Sequence, residues 1–281
     1  SRAIGREDIR AISKQATETI IVEAMYHDAD VVVICCGLVF HPLGLILLRK
    51  AGIPTVILHT ESPYMDDEQA EWCSHYPEAI IFTNERISSD RHGWHYLPAA
   101  FDPDIHAPWI PMGDSYANYP PTWDVLMIGT GWPERVRMFE QVNWTGIKLG
   151  IFGFWPMSAD SPLRPYYHEG AIDNEQSVRM YRAARICVNL HRHHTEAFSL
   201  NPRAYELAAV GAFTITDERQ EGFQIFGMTQ PTFSTAQEFE EVIRYYLSSS
   251  PTRHQLASHA RQHVKPHTFQ SRALQLLQRL T

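Results

Sequence analysis

Arg203 and Glu206 stand three residues apart, and a second carboxylate, Glu196, precedes them in the stretch 196–217. On a helix, residues three apart share a face. An arginine can fork onto a phosphate, and a carboxylate can accept hydrogen bonds from two neighbouring hydroxyls. That pairing suits a nucleotide, which carries an anionic diphosphate and a ribose diol. The flanking residues support a helix here. Asn201 is a good N-cap, Pro202 fits the first helical position, and Gly211 can end the helix in the left-handed conformation. The free N–H groups of such a helix start favour an anion. Ser199, Leu200, Asn201 and Arg203 therefore join Glu206 as candidate nucleotide-binding residues. The competing reading is a surface Arg–Glu ion pair. Caps, charge and the apolar run 212–216 that follows all agree with the nucleotide site.

Two further clusters carry chemistry. Gly129-Thr130-Gly131 follows the apolar run 124–128, and Pro133 can start a helix after it. Glycines let a backbone approach a phosphate closely, although a tight strand-to-helix turn needs them as well. Glu134 stands where the dinucleotide fingerprint needs a third glycine, and no Lys-Ser/Thr follows as in a Walker A loop. Gly129, Gly131 and Arg135 are candidate diphosphate contacts, with a solvent-facing role as the alternative for Arg135. His191, Arg192, His193 and His194 follow the apolar run 186–190. Adjacent loop histidines converge poorly on one ion and no Cys or Asp completes a set, so a metal site is not expected.

The elements that must position these residues alternate. Helix patterns cover residues 7–26, 43–51 and 177–184, and buried strand runs cover 30–36, 54–59, 79–83, 95–98, 124–128, 148–153, 186–190 and 212–216. Such alternation predicts parallel, doubly wound sheets flanked by helices. Cys35 and Cys36 are expected in one strand, facing opposite ways. Glu61 follows the strand 54–59 at the end where ligands bind in these sheets. It is a candidate acceptor-side catalytic residue, or else a cap for a helix at 66–73; His59 reads as a packed strand-end histidine. Prolines 108, 111, 120 and 121 with Gly113, Asp114 and Asn118 read as a linker. The expected organisation is an N-terminal domain over 1–107, a linker over 108–122 and a C-terminal domain over 123–281. A Rossmann-type domain opens on a strand. This chain opens on a helix, so its first domain is expected to lack an opening βα unit. Helices at 238–248, 251–264 and 268–280 close the chain as packing elements.

The stretch 196–217 resembles the donor-binding segment of GT-B-fold glycosyltransferases, in the group with spore-maturation-protein-type sequences. The resemblance extends over the second domain and, more loosely, over 31–106. It implies two Rossmann-like domains, with the last helix crossing back to the first. It also implies that Glu206 holds the ribose of a nucleotide sugar and that Glu196 faces the sugar. Nine residues separate the two acids here, more than in related retaining enzymes. A glycine-containing loop opens the family's donor domain, as 129–131 does here. The family's catalysis is metal-independent, with basic residues neutralising the departing diphosphate, a task open to Arg192; His191, at the same strand end, joins the donor-binding set. The implied function is transfer of a sugar from a UDP-sugar co-substrate, with retention, to an acceptor the sequence does not name. The alternatives are a nucleotide-sugar epimerase and a non-catalytic nucleotide-binding or scaffold protein of the same fold.

Composition bounds the rest. The chain has 281 residues, 44% hydrophobic and 20% charged, which is globular and long enough for two cores. A net charge of -8 opposes binding a duplex through its phosphates. No apolar run reaches membrane-span length. No signal peptide is visible, and the four cysteines (35, 36, 73, 187) form no disulfide or metal framework. A cytoplasmic protein without bound cofactor is expected.

Overall fold

The computed structural model describes residues 6–37, 40–106, 122–194, 196–227 and 230–280. The chain divides into two units. The first comprises Ser1–Pro98, Glu196–Phe198 and Arg279–Thr281; the second comprises Ala99–Thr195 and Ser199–Gln278.

In the first unit, helix α1 (Arg6–Tyr26) is followed by β1 (Val32–Cys35), α2 (Pro42–Ala51), β2 (Thr55–His59), α3 (Asp66–Cys73), β3 (Ile80–Thr83), α4 (Arg86–His92) and β4 (His95–Tyr96). The strands pair in parallel in the order β1-β2-β3-β4. Parallel strands need crossovers, and these helices supply them. Leu45, Leu48, Ile57 and Trp72 anchor the core, and the Trp72 indole donates to the carbonyl of Phe40 at 2.9 Å. The expected strand 30–36 stops one residue early. Cys36 takes φ 65°, and the N–H of Gly37 turns back to the carbonyl of Cys35 at 2.9 Å. The two cysteines therefore do not share a pleat.

The second unit contains α5 (Pro103–His106), β5 (Trp123–Ile128), α6 (Pro133–Glu140), β6 (Leu149–Phe152), β7 (Tyr167–His168), α7 (Asn174–Arg182) and β8 (Ala184–Asn189). It continues with α8 (Pro202–Val210), β9 (Thr214–Asp217), α9 (Gln220–Phe226), β10 (Thr232–Phe233), α10 (Ala236–Ser248), α11 (Ser250–Val264) and α12 (Phe269–Leu277). Its six strands are all parallel, in the order β10-β9-β8-β5-β6-β7. Both faces are covered, which is why β5, β6 and β8 read as continuous apolar runs. Phe139, Ile151, Ile186, Ile215, Phe239 and Ile243 are fully buried together. Capping boxes start α7 (Asp173 with Gln176) and α10 (Thr235 with Glu238). The Arg253 guanidinium on α11 donates to the carbonyls of Tyr246 and Leu247, closing the end of α10.

Residues 99–106, expected in the first domain, group with the second. The cause is backbone pairing. Phe101 bridges Thr268, with its N–H on the carbonyl of His267 and its own carbonyl accepting from Phe269. Arg272 adds a bond to the carbonyl of Ala99. Of the expected linker 108–122, all but Thr122 lies outside the described residues. Among the described residues, no helix is long and apolar enough to cross a membrane.

Candidate functional site

The order of the second sheet reverses at β5. From there β6 and β7 are added on one side and β8, β9 and β10 on the other. Such a reversal leaves a crevice at the carboxyl ends of the two central strands, where ligands bind in open parallel sheets. Ile128 ends β5, Asn189 ends β8, and α8 starts beside them.

Asn201 fixes that start. Its φ and ψ are -75° and 162°, and its side-chain oxygen accepts from the N–H of Ala204 at 3.0 Å. Its amide nitrogen donates to the Asn189 side chain at 3.1 Å and to the carbonyl of Leu190 at 3.3 Å. One side chain thus caps α8 and ties it to β8. Gly211, at φ 79°, ends the helix as its sequence position implied.

Arg203, in the first turn, sends its guanidinium to the carbonyl of Ile128. Gly129 makes room for it, since a Cβ there would lie 2.8 Å from Arg203 Nη1. Among the described residues no ion pair joins Arg203 to Glu206, so the surface-pair alternative does not describe them. Glu206 is half-buried, one turn on. Both charges act on the buried Tyr181 hydroxyl of α7. Burial pushes its pKa up to about 12, with Arg203 opposing and Glu206 adding.

The glycine turn works differently from the phosphate-contact expectation. The N–H of Gly129 donates to the carbonyl of Phe152 at 2.9 Å, and that of Gly131 to Phe154 at 2.8 Å. A Cβ at Gly131 would meet the Trp155 ring at 2.5 Å. The close approach that demands glycine at 131 is therefore an indole packed on the turn, and both amides are already engaged. Arg135 is buried rather than solvent-facing. It donates to the carbonyl of Thr130 at 2.7 Å and to that of Leu190 at 2.5 Å, joining the β5 and β8 ends. Leu200 is buried, and its N–H is held by the buried Glu221 carboxylate at 2.6 Å, so this amide too is taken. Ser199 is buried beside it.

At the end of β8, His191 is 7% exposed. Asp217 Oδ1, at the end of β9, accepts from the His191 N–H at 2.9 Å and lies 2.8 Å from its ring Nδ1. Arg219 pairs with the other Asp217 oxygen at 3.4 Å. Burial holds the imidazole below its ordinary pKa, with Asp217 opposing. Burial raises the Asp217 carboxyl, but His191 and Arg219 outweigh it and leave it lowered. Arg192, expected to neutralise a leaving diphosphate, is exposed and lies over the Trp132 ring at 4.8 Å. His193 is exposed while His191 turns inward, so the histidine run does not converge. No group of three or more metal-ligating side chains occurs among the described residues.

The remaining expected residues belong to the first unit. The Glu196 carboxylate pairs with Arg91 there, both about half exposed. Glu61 sits in the loop between β2 and α3. It does not cap α3, whose N-cap is Met65 without a side-chain cap bond. His59 is packed against Trp94 and Cys73. Sequence reasoning missed Asp217, Arg219, Tyr181 and Glu221 as neighbours of the crevice. Applying the strand-end rule to β9 as well as to β8 would have found Asp217.

Residues 121–278, more than half of the chain, match the glycosyl transferase-like family. The chain belongs to that family. It is 25% identical over 190 residues to the spore protein CgeB of Bacillus subtilis (strain 168), an alignment covering 60% of this chain and 58% of CgeB. The match thus spans well under two thirds of that relative's length. Among solved structures, it resembles the sucrose-phosphate synthase of Thermosynechococcus elongatus with TM-score 0.65 and 14% identity. That match covers 98% of this chain and 79% of the other. A UDP-forming α,α-trehalose-phosphate synthase from Burkholderia xenovorans gives TM-score 0.68 at 11% identity, covering 99% and 79%. Anabaena HepE, solved with UDP-glucose, gives 0.63 at 12%, covering 94% and 81%. The fold of this glycosyl transferase-like chain is GT-B.

Proposed function

We propose that this protein is a glycosyltransferase that moves a sugar from a UDP-sugar to an acceptor without a metal ion. The observation that carries the reading is the start of α8. It is capped by Asn201, braced by Arg203 on the β5 end and followed by the Glu206 carboxylate, which has no hydrogen-bond or ion-pair partner among the described residues. The Arg203 N–H in the first turn lacks an intrahelical acceptor and suits a diphosphate oxygen. Glu206 suits the ribose diol. Gly129 and Gly131 form the turn beside this site, Arg135 and Asn201 hold its two strand ends, and Ser199 and Leu200 lie buried just ahead of α8. HepE was solved with UDP-glucose, and one of the similar synthases is UDP-forming; both support uridine as the base.

In this reading the bond from the anomeric carbon to the diphosphate oxygen breaks and UDP leaves with the electron pair. The acceptor's nucleophilic atom bonds to that carbon and passes its proton to the departing diphosphate. Fixed positive groups aimed at the departing diphosphate are the main catalytic resource. Glu196 and Glu61 are assigned to the sugar and acceptor side, Arg192 to the leaving group, and transfer proceeds with retention. The four free cysteines and acidic balance suit the cytoplasm.

A non-catalytic nucleotide-binding role is favoured by one observation, the engagement of Glu196 by Arg91. Calorimetric titration with UDP, GDP and ADP, with and without EDTA, tests the donor site. EDTA-insensitive binding of UDP in preference to the others is expected, and no binding by any of them would overturn the reading. NMR of the anomeric coupling in the product distinguishes retention from inversion. Absence of any transfer or hydrolysis of UDP-sugars would leave the binding role.

A further inference from the structure

His191 and Asp217 form a buried imidazole–carboxylate pair at the crevice whose geometry is more specific than packing requires. Asp217 Oδ1 holds the residue at two points, its backbone N–H at 2.9 Å and its ring Nδ1 at 2.8 Å. That fixes both the ring orientation and the tautomer, because Nδ1 must carry the proton it donates. The other nitrogen, Nε2, is buried and has no hydrogen-bond partner among the described residues. A buried nitrogen without a partner is costly, so its retention calls for a ligand.

The charged groups around the ring decide what kind of ligand. Asp217 comes from β9, Arg219 follows it, and Arg135 comes from α6; these are the charges that bear on the imidazole. Arg192, the next residue, is exposed on Trp132. Arg203 braces the neighbouring strand end. Two guanidiniums against one carboxylate make this an anion's environment. A neutral hydroxyl ligand would leave that excess positive charge unanswered, whereas a diphosphate would offset it.

We propose that His191 takes up a proton as the diphosphate binds and donates a hydrogen bond from Nε2 to a diphosphate oxygen, with Asp217 as the positioning residue that orients the ring and balances its charge. This rests on the nucleotide-donor reading of the same crevice. The proton comes from solvent, and no covalent bond to carbon changes in this step. The ordering is physical. Without ligand, burial and the guanidiniums hold the ring neutral. The anion cancels the guanidiniums' effect and supplies the acceptor that the protonated Nε2 needs.

The test is calorimetric titration of the full chain with UDP at one pH near neutrality, in two buffers of different ionisation enthalpy. UDP's own phosphate titration is subtracted by running His191→Gln, whose side chain keeps a donor and does not titrate. The wild type should take up more protons than His191→Gln, by up to about one per site, and Asp217→Asn should lose most of the difference. Above the pKa of the bound form, wild-type affinity should weaken by up to about tenfold per pH unit, with His191→Gln flatter. If UDP binds and the wild type takes up no more protons than His191→Gln, the proposal is overturned while the donor site stands. If UDP does not bind at all, the donor reading falls and this proposal falls with it.

Discussion

The Arg203 guanidinium rests on the carbonyl of Ile128, so the first turn of α8 is pinned to the last residue of β5. The contact spans 75 residues of sequence and fixes the distance between the helix N-terminus and the turn that follows β5. Arg203 therefore acts twice, as a brace and as positive charge beside the crevice. A lysine keeps the charge and loses the planar fork. Arg203→Lys should weaken UDP binding by about tenfold and lower stability by about 1 kcal/mol. Calorimetry and urea unfolding measure the two effects separately. Unchanged affinity with reduced stability would make Arg203 a brace only.

Among the described residues Glu206 has no hydrogen-bond or ion-pair partner to lose, so its replacement should cost the ligand rather than the fold. A hydrogen bond to a charged group contributes about 1.5–3 kcal/mol. Glu206→Ala should weaken UDP binding by at least about tenfold with little change in unfolding midpoint. The ribose assignment has a sharper check in 2′-deoxyuridine diphosphate. Wild type should discriminate against it and Glu206→Ala should not, giving a coupling in the double-mutant cycle. Equal discrimination by both proteins would remove Glu206 from the ribose.

How much of this was legible depended on the range of the interaction. Strands β5, β6 and β8 could be read because both faces are buried and the apolar runs are continuous. The α8 boundaries could be read because Asn201, Pro202 and Gly211 act within one turn. The two-residue strands β7 and β10 carry no periodicity, and their pairing comes from neighbours. Whether a backbone N–H is free was equally hidden. The Leu200 amide is claimed by Glu221 and the Gly131 amide by Phe154, choices made by segments 21 and 23 residues away in sequence. The same holds for Arg135, whose burial follows from two carbonyls at different strand ends. Glu206 could be proposed from spacing, but its lack of an ion pair with Arg203 could not.

Gly131 is constrained by Trp155. A methyl group there would sit 2.5 Å from the ring, and the indole is itself tethered by its N–H to the carbonyl of Gly129 at 2.8 Å. Neither side can move freely. Overpacking of this kind costs about 1–3 kcal/mol. Gly131→Ala should lower the thermal midpoint, and Trp155→Phe should restore part of the loss by removing ring volume and tether together. Gly131→Ala with unchanged stability but abolished UDP binding would instead return Gly131 to the phosphate-contact role.

His59 sets a pH limit on the first unit. It is 1% exposed, with Nε2 3.3 Å from the Cys73 sulfur and its ring against Trp94. Burial lowers its pKa from 6.5 to about 4; Asp66 opposes and His92 adds. The same burial pushes the Cys73 thiol up to about 12, so neither group is charged near neutrality. The sign follows from linkage. Between pH 6.5 and 4 the unfolded chain holds a proton on this histidine that the folded chain does not, so stability is full above 6.5 and falls as the pH drops. A pKa unit corresponds to about 1.4 kcal/mol, which puts the loss at up to about 3 kcal/mol by pH 4. Urea midpoints across pH 7.5 to 4 should fall accordingly. His59→Asn should be less stable at pH 7.5 and show a shallower fall. An equal slope in both proteins would assign the acid sensitivity to other groups, with His267, also lowered to about 4 by burial and by Arg272, as the next to replace.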